Sequence, residues 1–329
     1  MSAEKVDGIQ IIRRGSQWTV HIRAVLHYRG RLRGRFDAVI DETNTIPFFT
    51  PIWADIPTFL MIWQLAREVW WYEGPFPLSA IGYLLEPFYL RVYRKTSVLT
   101  YSASTKSDLE NLGFRGVITV LPVGIEQINY FDDPKAAEPT FIYVGRIAAS
   151  KRVHEIIQAF ALFRRRTGSG QLALIGEGNQ SYVRRLETLA ARLGASSAIE
   201  YCGWLKGAAK HHRMSAAHAL LLASVREGWG LVVTECNRCG TPAVAYNVPG
   251  LRDSVRHLET GLLVDPTPER LAEGMLRVTS DQELYMQLRD AALRWGQTFD
   301  YEASASLVSA AVASVVHTPS GANATVKKQ

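Results

Sequence analysis

The second half of the chain alternates between apolar runs with the character of β-strands and longer stretches with helical periodicity. Strands that alternate with helices in this way build parallel sheets, because each helix carries the chain back to the same end of the sheet. We therefore predict an α/β fold whose second half is a series of βαβ units. The predicted strands are 140–145, 171–175, 199–202, 219–223, 242–246 and 261–264.

Two carboxylates, Glu227 and Glu235, lie eight residues apart around a Gly-Trp-Gly turn that leads into an apolar, helix-like run. Glycines let a ligand approach the backbone closely, and a helix start offers N–H groups and partial positive charge to a phosphate. We expect Glu227 in the turn and Glu235 about two turns into the helix. The pair would suit the two ends of a nucleotide-linked ligand; the alternative is an ordinary helix start with acidic residues.

Two cations follow the first strand of this half. The strand ends at Gly145, Arg146 comes next, and Lys151 follows just before an apparent helix over 153–166. Open α/β sheets bind ligands at the carboxyl ends of their parallel strands. An arginine fork and a compact ammonium suit a diphosphate, although two solvated surface cations are the ordinary alternative.

Further motifs follow in a fixed order. They are Gly145-Arg146 with Lys151, then 174–178, 202–205, 223–224, 227–235, 240–245 and 249–254. In this order they resemble the C-terminal half of a retaining glycosyltransferase of family 4 with the GT-B fold, over about 140–265. Several spaced motifs in one order make the resemblance specific, whereas a lone glycine-rich loop would not.

The resemblance implies a donor site for a nucleotide diphosphate sugar, most often UDP- or GDP-linked. Arg146 and Lys151 would hold the diphosphate, and Glu227 would contact the transferred sugar near the reacting carbon; these three would be the catalytic residues. Glu235 would accept hydrogen bonds from the ribose hydroxyls. The family more often has Phe where Trp229 stands. The other donor contacts would come from Gly145, Gly176, Gly203, Trp204, Leu205, Gly228, Trp229, Gly230 and Leu231.

The chemistry of glycosyl transfer agrees with these roles. Oxocarbenium character develops at the sugar and negative charge on the departing diphosphate, which fixed cations and helix-start amides stabilise. A metal ion need not be invoked, and no cofactor is expected. Cys236 and Cys239 form a C-x-x-C without a second pair at metal spacing, so we predict neighbouring core thiols rather than a zinc site.

The resemblance also implies two Rossmann-like domains with parallel sheets, and a length of 329 residues agrees with two domains. Strand candidates in the first half are 8–13, 38–41, 58–62 and 97–101. The predicted divisions are an acceptor-side domain over 1–122, a donor-binding domain over 123–300, a helix over 301–317 that crosses back to the first domain, and a disordered tail over 318–329.

The first half departs from the family pattern in two ways. From Val6 onward the chain resembles the middle of the family's first domain, so we expect an abbreviated domain with an open sheet edge. Trp63 and Gln64 follow the strand 58–62, where family members commonly carry a histidine that helps to place the acceptor and the sugar. A partner chain or a homodimer could supply the missing part, or the chain could be a degenerate copy.

Charge adds expectations about partners. Residues 1–40 contain eight Lys/Arg against three Asp/Glu, and the net charge is +6. The basic, aromatic stretch 23–35 suggests contact with anionic lipid or a lipid-phosphate acceptor, and no nucleic-acid motif supports DNA or RNA binding. Without an apolar run of about 18 residues or a recognisable signal peptide, we expect a cytoplasmic protein, free or peripheral at the inner face of the membrane.

The leading hypothesis is a glycosyltransferase that moves a sugar to a polysaccharide or glycolipid acceptor in the synthesis of envelope polysaccharide or glycolipid. The rival is a non-catalytic or partner-dependent subunit that binds nucleotide sugars, which the replacement at Trp63 and Gln64 favours. A phosphorylase or an epimerase with the same fold is a third possibility, because fold alone does not define function.

Overall fold

The computed structural model describes residues 2–16, 18–126 and 133–316, and only the backbone of residues 2 and 3. The expected disordered tail lies outside the described residues. Two separate parallel sheets organise the chain, which confirms the predicted α/β fold of two Rossmann-like domains. The division at residue 122 stays a prediction.

The first domain contains a four-stranded parallel sheet, which an antiparallel hairpin precedes. The hairpin turns at Asp7 and Gly8, whose φ values of 49° and 84° are both positive, so the strand predicted over 8–13 begins one residue later. The hairpin strands are β1 (Ser2–Val6) and β2 (Ile9–Arg13). In sheet order the others are β3 (Val39–Thr43), β4 (Thr58–Ile62), β5 (Ser97–Thr100) and β6 (Ile118–Val120).

The helices of the first domain enclose a modest core. Leu60, Val98 and Leu109 are fully buried in it, together with Leu90 and Tyr93. The helices are α1 (Val20–His27), α2 (Thr50–Trp53), α3 (Trp70–Glu73), α4 (Leu78–Leu90) and α5 (Ala103–Asn111), with single helical turns at Tyr28–Leu32, Arg67–Val69 and Arg91–Tyr93.

The second domain is built on a six-stranded parallel sheet. Its strands begin and end within about one residue of the predicted runs, because strands buried on both faces are apolar throughout. They are β7 (Thr140–Val144), β8 (Gln171–Ile175), β9 (Ile199–Gly203), β10 (Ala219–Leu222), β11 (Ala243–Tyr246) and β12 (Gly261–Val264), and the sheet order is β12-β11-β10-β7-β8-β9.

Helices connect and cover these strands. The first of them buries Val153, Ile156, Ile157, Phe160 and Phe163 at helical spacing in one continuous core with the sheet. The helices are α6 (Val153–Thr167), α7 (Gln180–Arg192), α8 (Gly207–Ala216), α9 (Leu231–Arg238), α10 (Leu251–Ser254), α11 (Pro268–Ser280), α12 (Gln282–Gly296) and α13 (Tyr301–Val316), with single turns at Ala149–Lys151 and Ser196–Ala198.

The last helix, α13, packs against the sheet of the first domain. Val308 and Val312 contact a small buried cluster that contains Phe59 and Leu99. In the described residues, no helix is long and apolar enough to cross a bilayer.

Candidate functional site

The turn between β10 and α9 carries the glycine-rich segment. Gly230 has a φ of 91°, a left-handed conformation that glycine adopts without strain, and α9 begins only at the next residue. Glu235 therefore lies about one turn into the helix, and the expectation of two turns was wrong. Gly250 must also be small, because a Cβ there would lie 2.0 Å from the carbonyl oxygen of Glu227.

Three polar contacts hold Glu227 in this turn. Its backbone N–H donates to the Pro249 carbonyl at 3.0 Å. Its carboxylate oxygen Oε1 accepts from Lys151 Nζ at 2.6 Å and from Ser224 Oγ at 2.7 Å. The Lys151 and Glu227 side chains are only 22% and 17% exposed. Two residues predicted from separate motifs thus form one partly buried ion pair.

Close backbone packing positions the loop that carries Arg146. The Gly145 N–H donates to the Ile175 carbonyl at 2.9 Å. A Cβ on Gly176 would lie 1.8 Å from the Gly145 carbonyl oxygen, so only glycine fits there. The carboxyl ends of β7 and β8 therefore stay in contact beyond the sheet, and they place Arg146 at the edge where open α/β sheets generally bind ligands.

Arg146 is engaged by a carboxylate from the first domain. Its Nη1 donates to Glu73 Oε2 at 2.9 Å and its Nη2 to Glu73 Oε1 at 3.3 Å, and Ser150 also donates to Glu73. Burial alone would raise the pKa of the Glu73 carboxyl, but the hydrogen bonds from Ser150 and Arg146 lower it below its usual value. Arg146, which was predicted to bind a diphosphate, is thus already paired with the Glu73 carboxylate.

Glu235 is paired within the second domain. Lys210 Nζ, on α8, donates to Glu235 Oε2 at 3.0 Å, and both side chains are about three-quarters buried. Of the predicted base-side residues, Gly203 ends β9 and Trp204 and Leu205 follow it, and Trp204 is 56% exposed. The Gly203 carbonyl accepts the N–H of Gly176, the residue that follows β8, at 2.8 Å.

A cleft of about 610 Å³ lies between the domains. Its second-domain wall is the predicted turn from Glu227 to Leu231, which brings Gly228, Trp229 and Gly230 together there. Its first-domain wall consists of Glu42, Thr43, Asn44, Trp63 and Gln64. A second cavity, of about 530 Å³, shares Asn44 and Gln64 with the cleft and reaches Glu73 and Arg146.

Trp63 lines the cleft, close to where the family pattern has a histidine. Its ring stacks on Tyr101 with centroids 3.8 Å apart. A Cβ on Gly228 would lie 2.9 Å from the Trp63 Cβ, so the glycine allows the two domains to touch. Trp229 meets Phe299 edge to face on the other side of the turn, with centroids 5.9 Å apart.

Sequence reasoning missed the roles of four residues. Glu42, at the end of β3, follows a predicted strand, and the rule that ligands bind at carboxyl ends could have found it. Asn44 is the first residue after β3. Glu73 and Lys210 have no local signal, because their partners Arg146 and Glu235 are 73 and 25 residues away in the chain.

The described residues contain no group of three His, Cys, Asp or Glu side chains that could hold a metal ion. Cys236 and Cys239 lie 0% and 3% exposed in the core, and burial raises the pKa of the Cys239 thiol to about 11. They are unreactive at neutral pH because the thiolate is the nucleophile.

The geometry suits an anionic ligand. Arg146, Lys151 and the start of α9 follow strands of one parallel sheet, so cationic side chains and the positive end of a helix lie at the same edge. Residues 127–295 match the sequence profile of the family described as "Glycosyl transferases group 1", just over half of the 329 residues. The chain belongs to this family.

The chain is similar to curated proteins of Mycobacterium tuberculosis, among them a glycogen synthase and a mannosyltransferase. A glycogen synthase is 28% identical over 244 residues, which cover 73% of this chain and 58% of that protein. A GDP-mannose-dependent alpha-(1-6)-phosphatidylinositol monomannoside mannosyltransferase is 25% identical over 65% of this chain and 62% of its own length. The chain therefore spans about three-fifths of the length of these relatives.

Solved structures share the fold. A sucrose-phosphate synthase from Thermosynechococcus elongatus has a TM-score of 0.75 and 20% identity, and the match covers 94% of this chain and 81% of that one. Anabaena HepE, in complex with UDP and glucose, has a TM-score of 0.70 and 17% identity over 91% of this chain and 83% of its own. Because the identities are this low, these structures establish only the fold of the chain.

Proposed function

We propose that the chain is a retaining glycosyltransferase that moves a sugar from a nucleotide diphosphate sugar to a polysaccharide or glycolipid acceptor of the cell envelope. The observation that carries the proposal is the grouping of Glu227 and the start of α9 on one wall of the cleft, with Lys151 paired to Glu227 and Arg146 in the adjoining cavity. Family membership supports the reaction class, and the names of the mycobacterial relatives support a nucleotide sugar.

In the proposed reaction the bond from the sugar's anomeric carbon to the diphosphate breaks, and a bond to the acceptor oxygen forms on the same face. The acceptor proton passes to the departing phosphate. Arg146, Lys151 and the first N–H groups of α9 stabilise the charge that develops on the diphosphate. Glu227 contacts the sugar, where positive character develops.

The donor's other parts have separate partners in this proposal. Glu235 accepts hydrogen bonds from the ribose once Lys210 shifts or shares it. Gly203, Trp204 and Leu205 lie near the base. UDP and GDP are the preferred nucleotides, since HepE holds UDP and the mycobacterial mannosyltransferase is named for GDP-mannose.

A non-catalytic subunit that binds nucleotide sugars is the second candidate. Trp63 and Gln64 favour it, because they line the first-domain wall where the family pattern has a histidine. It also stays a prediction that a partner chain or a homodimer completes the first domain. The same holds for a cytoplasmic location, free or peripheral at the membrane. Among the described strands, β3 forms one edge of its sheet and is open to such pairing.

Calorimetric titration with UDP, GDP and ADP, followed by their sugar conjugates, tests the donor site. We expect micromolar binding of one nucleotide. Arg146→Ala and Glu235→Ala should each weaken it by roughly tenfold or more, the value of a charge-assisted hydrogen bond. Arg165→Ala, an exposed arginine at the end of α6, is the matched control.

The outcomes separate the two candidates. Binding that the site variants abolish, together with release of the nucleotide from its sugar conjugate, supports the transferase. Binding without any release supports the subunit. Equal affinity in Arg146→Ala, Glu235→Ala and Arg165→Ala would remove the donor site from this region.

A further inference from the structure

The helix α4 presents an apolar stripe to solvent. Leu78, Ile81, Leu85 and Phe88 recur every three or four residues along one face, and they are 56%, 47%, 52% and 58% exposed. Leu84 beside them is 63% exposed. An ordinary surface helix turns its apolar face inward, so a continuous outward stripe marks an interaction surface.

A second apolar stripe begins just before α1 and continues along that helix. Trp18, Ile22 and Leu26 are spaced by four residues and are 78%, 66% and 66% exposed. No residue of α1 is buried. This helix therefore contributes little to the core of the first domain, and its apolar side chains are available to an outside surface.

One loop joins the two stripes. Ile46 in this loop is itself 50% exposed, and its carbonyl lies 3.3 Å from His21 Nε2 on α1. Tyr89 on α4 donates to the carbonyl of the preceding residue, Thr45, at 2.7 Å. The helices thus lie on either side of the loop. We call the exposed apolar residues of α1, the loop and α4 the α1–α4 face: Trp18, Ile22, Leu26, Ile46, Leu78, Ile81, Leu84, Leu85 and Phe88.

Basic side chains outnumber carboxylates in the two helical segments of this face. The segments 18–35 and 78–95 contain a single carboxylate, Glu86, and it is 2% exposed. Their exposed cations are Arg23, Arg29, Arg31, Arg33, Arg35, Arg91 and Lys95. Arg33 is paired with Asp55. The apolar stripes are therefore flanked by positive charge, with no exposed carboxylate in the same two segments.

We propose that the α1–α4 face docks on the surface of an anionic membrane. Apolar side chains of this kind enter the boundary between headgroups and acyl chains, and the flanking arginines contact lipid phosphates. The loop that joins the helices begins next to Asn44, a residue of the cleft wall. If the proposed function holds, docking brings the acceptor side of the cleft close to lipid-linked acceptors.

Flotation of the full chain with vesicles tests the docking. We expect the chain to float with vesicles of phosphatidylcholine and phosphatidylglycerol, and to bind several times less to phosphatidylcholine alone. Salt should weaken the binding because it screens exposed charges. Arg29→Glu with Arg31→Glu should lower the vesicle partition coefficient by roughly tenfold or more, given the effect of each basic residue near an anionic surface.

Variants of the apolar stripe provide the second arm. Ile81→Ser with Leu85→Ser should also reduce vesicle binding. The matched control for the apolar pair is Val117→Ser with Leu307→Ser, which changes exposed side chains elsewhere, and for the charges it is Arg165→Glu with Arg166→Glu on α6. The controls should float like the unmodified chain, and circular dichroism should show that every variant is folded.

Two results would overturn the proposal. One is that the unmodified chain binds neither kind of vesicle, or that the charge variant and the apolar variant both bind vesicles as well as the unmodified chain does. The other is that sedimentation reveals a dimer that Ile81→Ser with Leu85→Ser dissociates while no vesicle binds, which would assign the face to a second copy. Neither readout depends on nucleotide binding, so failure of the donor site leaves this test intact.

Discussion

The two domains share one construction and use it differently. The second domain gathers its buried apolar residues into one continuous core around the six-stranded sheet. The first domain divides its buried residues among smaller clusters, and it carries most of the large apolar side chains that stay exposed. The second domain therefore presents a sheet edge supported by one core, whereas the first presents apolar side chains to its surroundings.

The largest expected effect compares the two cores directly. Leu220→Ala in β10 and Leu60→Ala in β4 each remove a fully buried side chain, which should lower the free energy of unfolding by about 2–5 kcal/mol. Because the cores are separate, we expect Leu220→Ala to weaken the second domain's unfolding transition and Leu60→Ala the first domain's. Denaturant unfolding with and without nucleotide measures this.

Nucleotide assigns the transitions, since a ligand stabilises the domain that binds it. Nucleotide should raise the denaturant midpoint of one transition. Leu220→Ala should lower the midpoint of that same transition. If both variants instead lower one shared transition by the same amount, the domains unfold as a single unit and the contrast between their cores has no energetic meaning.

The second prediction concerns catalysis on the second-domain wall. Glu227→Gln keeps the shape of the side chain but removes the charge that, in the proposed reaction, faces the transferred sugar. We expect turnover to fall by about 10²–10³-fold, the scale on which one preorganised electrostatic group contributes. Nucleotide affinity should not fall, because Lys151 loses its carboxylate partner and remains free for the diphosphate.

Nucleotide release from the donor sugar measures the rate, and calorimetry measures the affinity. Glu259→Gln, an exposed carboxylate of the same domain that is 64% exposed, serves as the control and should leave both unchanged. An undiminished rate in Glu227→Gln would remove this residue from the reacting centre.

The contrast between the domains also explains what the sequence could predict. The strands of the second domain are buried on both faces, so the apolar runs mark them closely. In the first domain, β6 has only three residues, and α4 contains Pro87 and turns apolar residues outward. Neither has the pattern of a buried element, and neither was predicted. The Asp7-Gly8 turn was a readable hairpin signal that was overlooked.

The site divides along the same line. Arg146, Lys151 and Glu227 belong to local motifs at the ends of predicted strands, so the sequence indicates them individually. Their partners depend on the docking of one domain on the other, which no local pattern encodes. Glu73 reaches Arg146 only because α3 meets the Ala149–Lys151 turn across the cleft. The start of α9 was misplaced because Gly230 adopts a left-handed conformation.

The smallest expected effect tests that contact between domains. Glu73→Gln removes the carboxylate that pairs with Arg146. A diphosphate then no longer competes with a carboxylate for Arg146. Arg146 is 62% exposed and Glu73 31%, and exposed ion pairs contribute only about 0–1 kcal/mol. We therefore expect nucleotide affinity to rise by no more than about fivefold, with Glu110→Gln, an exposed carboxylate of α5, as the control.

The pH dependence of this difference follows from the lowered pKa of Glu73. A carboxyl whose pKa is lower in the folded protein is ionised, and paired, above its unfolded value of about 4.3. The pairing is lost as the pH falls through the lower folded value. The unmodified chain and Glu73→Gln should thus differ in nucleotide affinity at pH 7 and converge as the pH falls through the lowered pKa of Glu73. Weaker binding in Glu73→Gln at pH 7 would instead mean that Glu73 closes the domains over the donor and assists its binding.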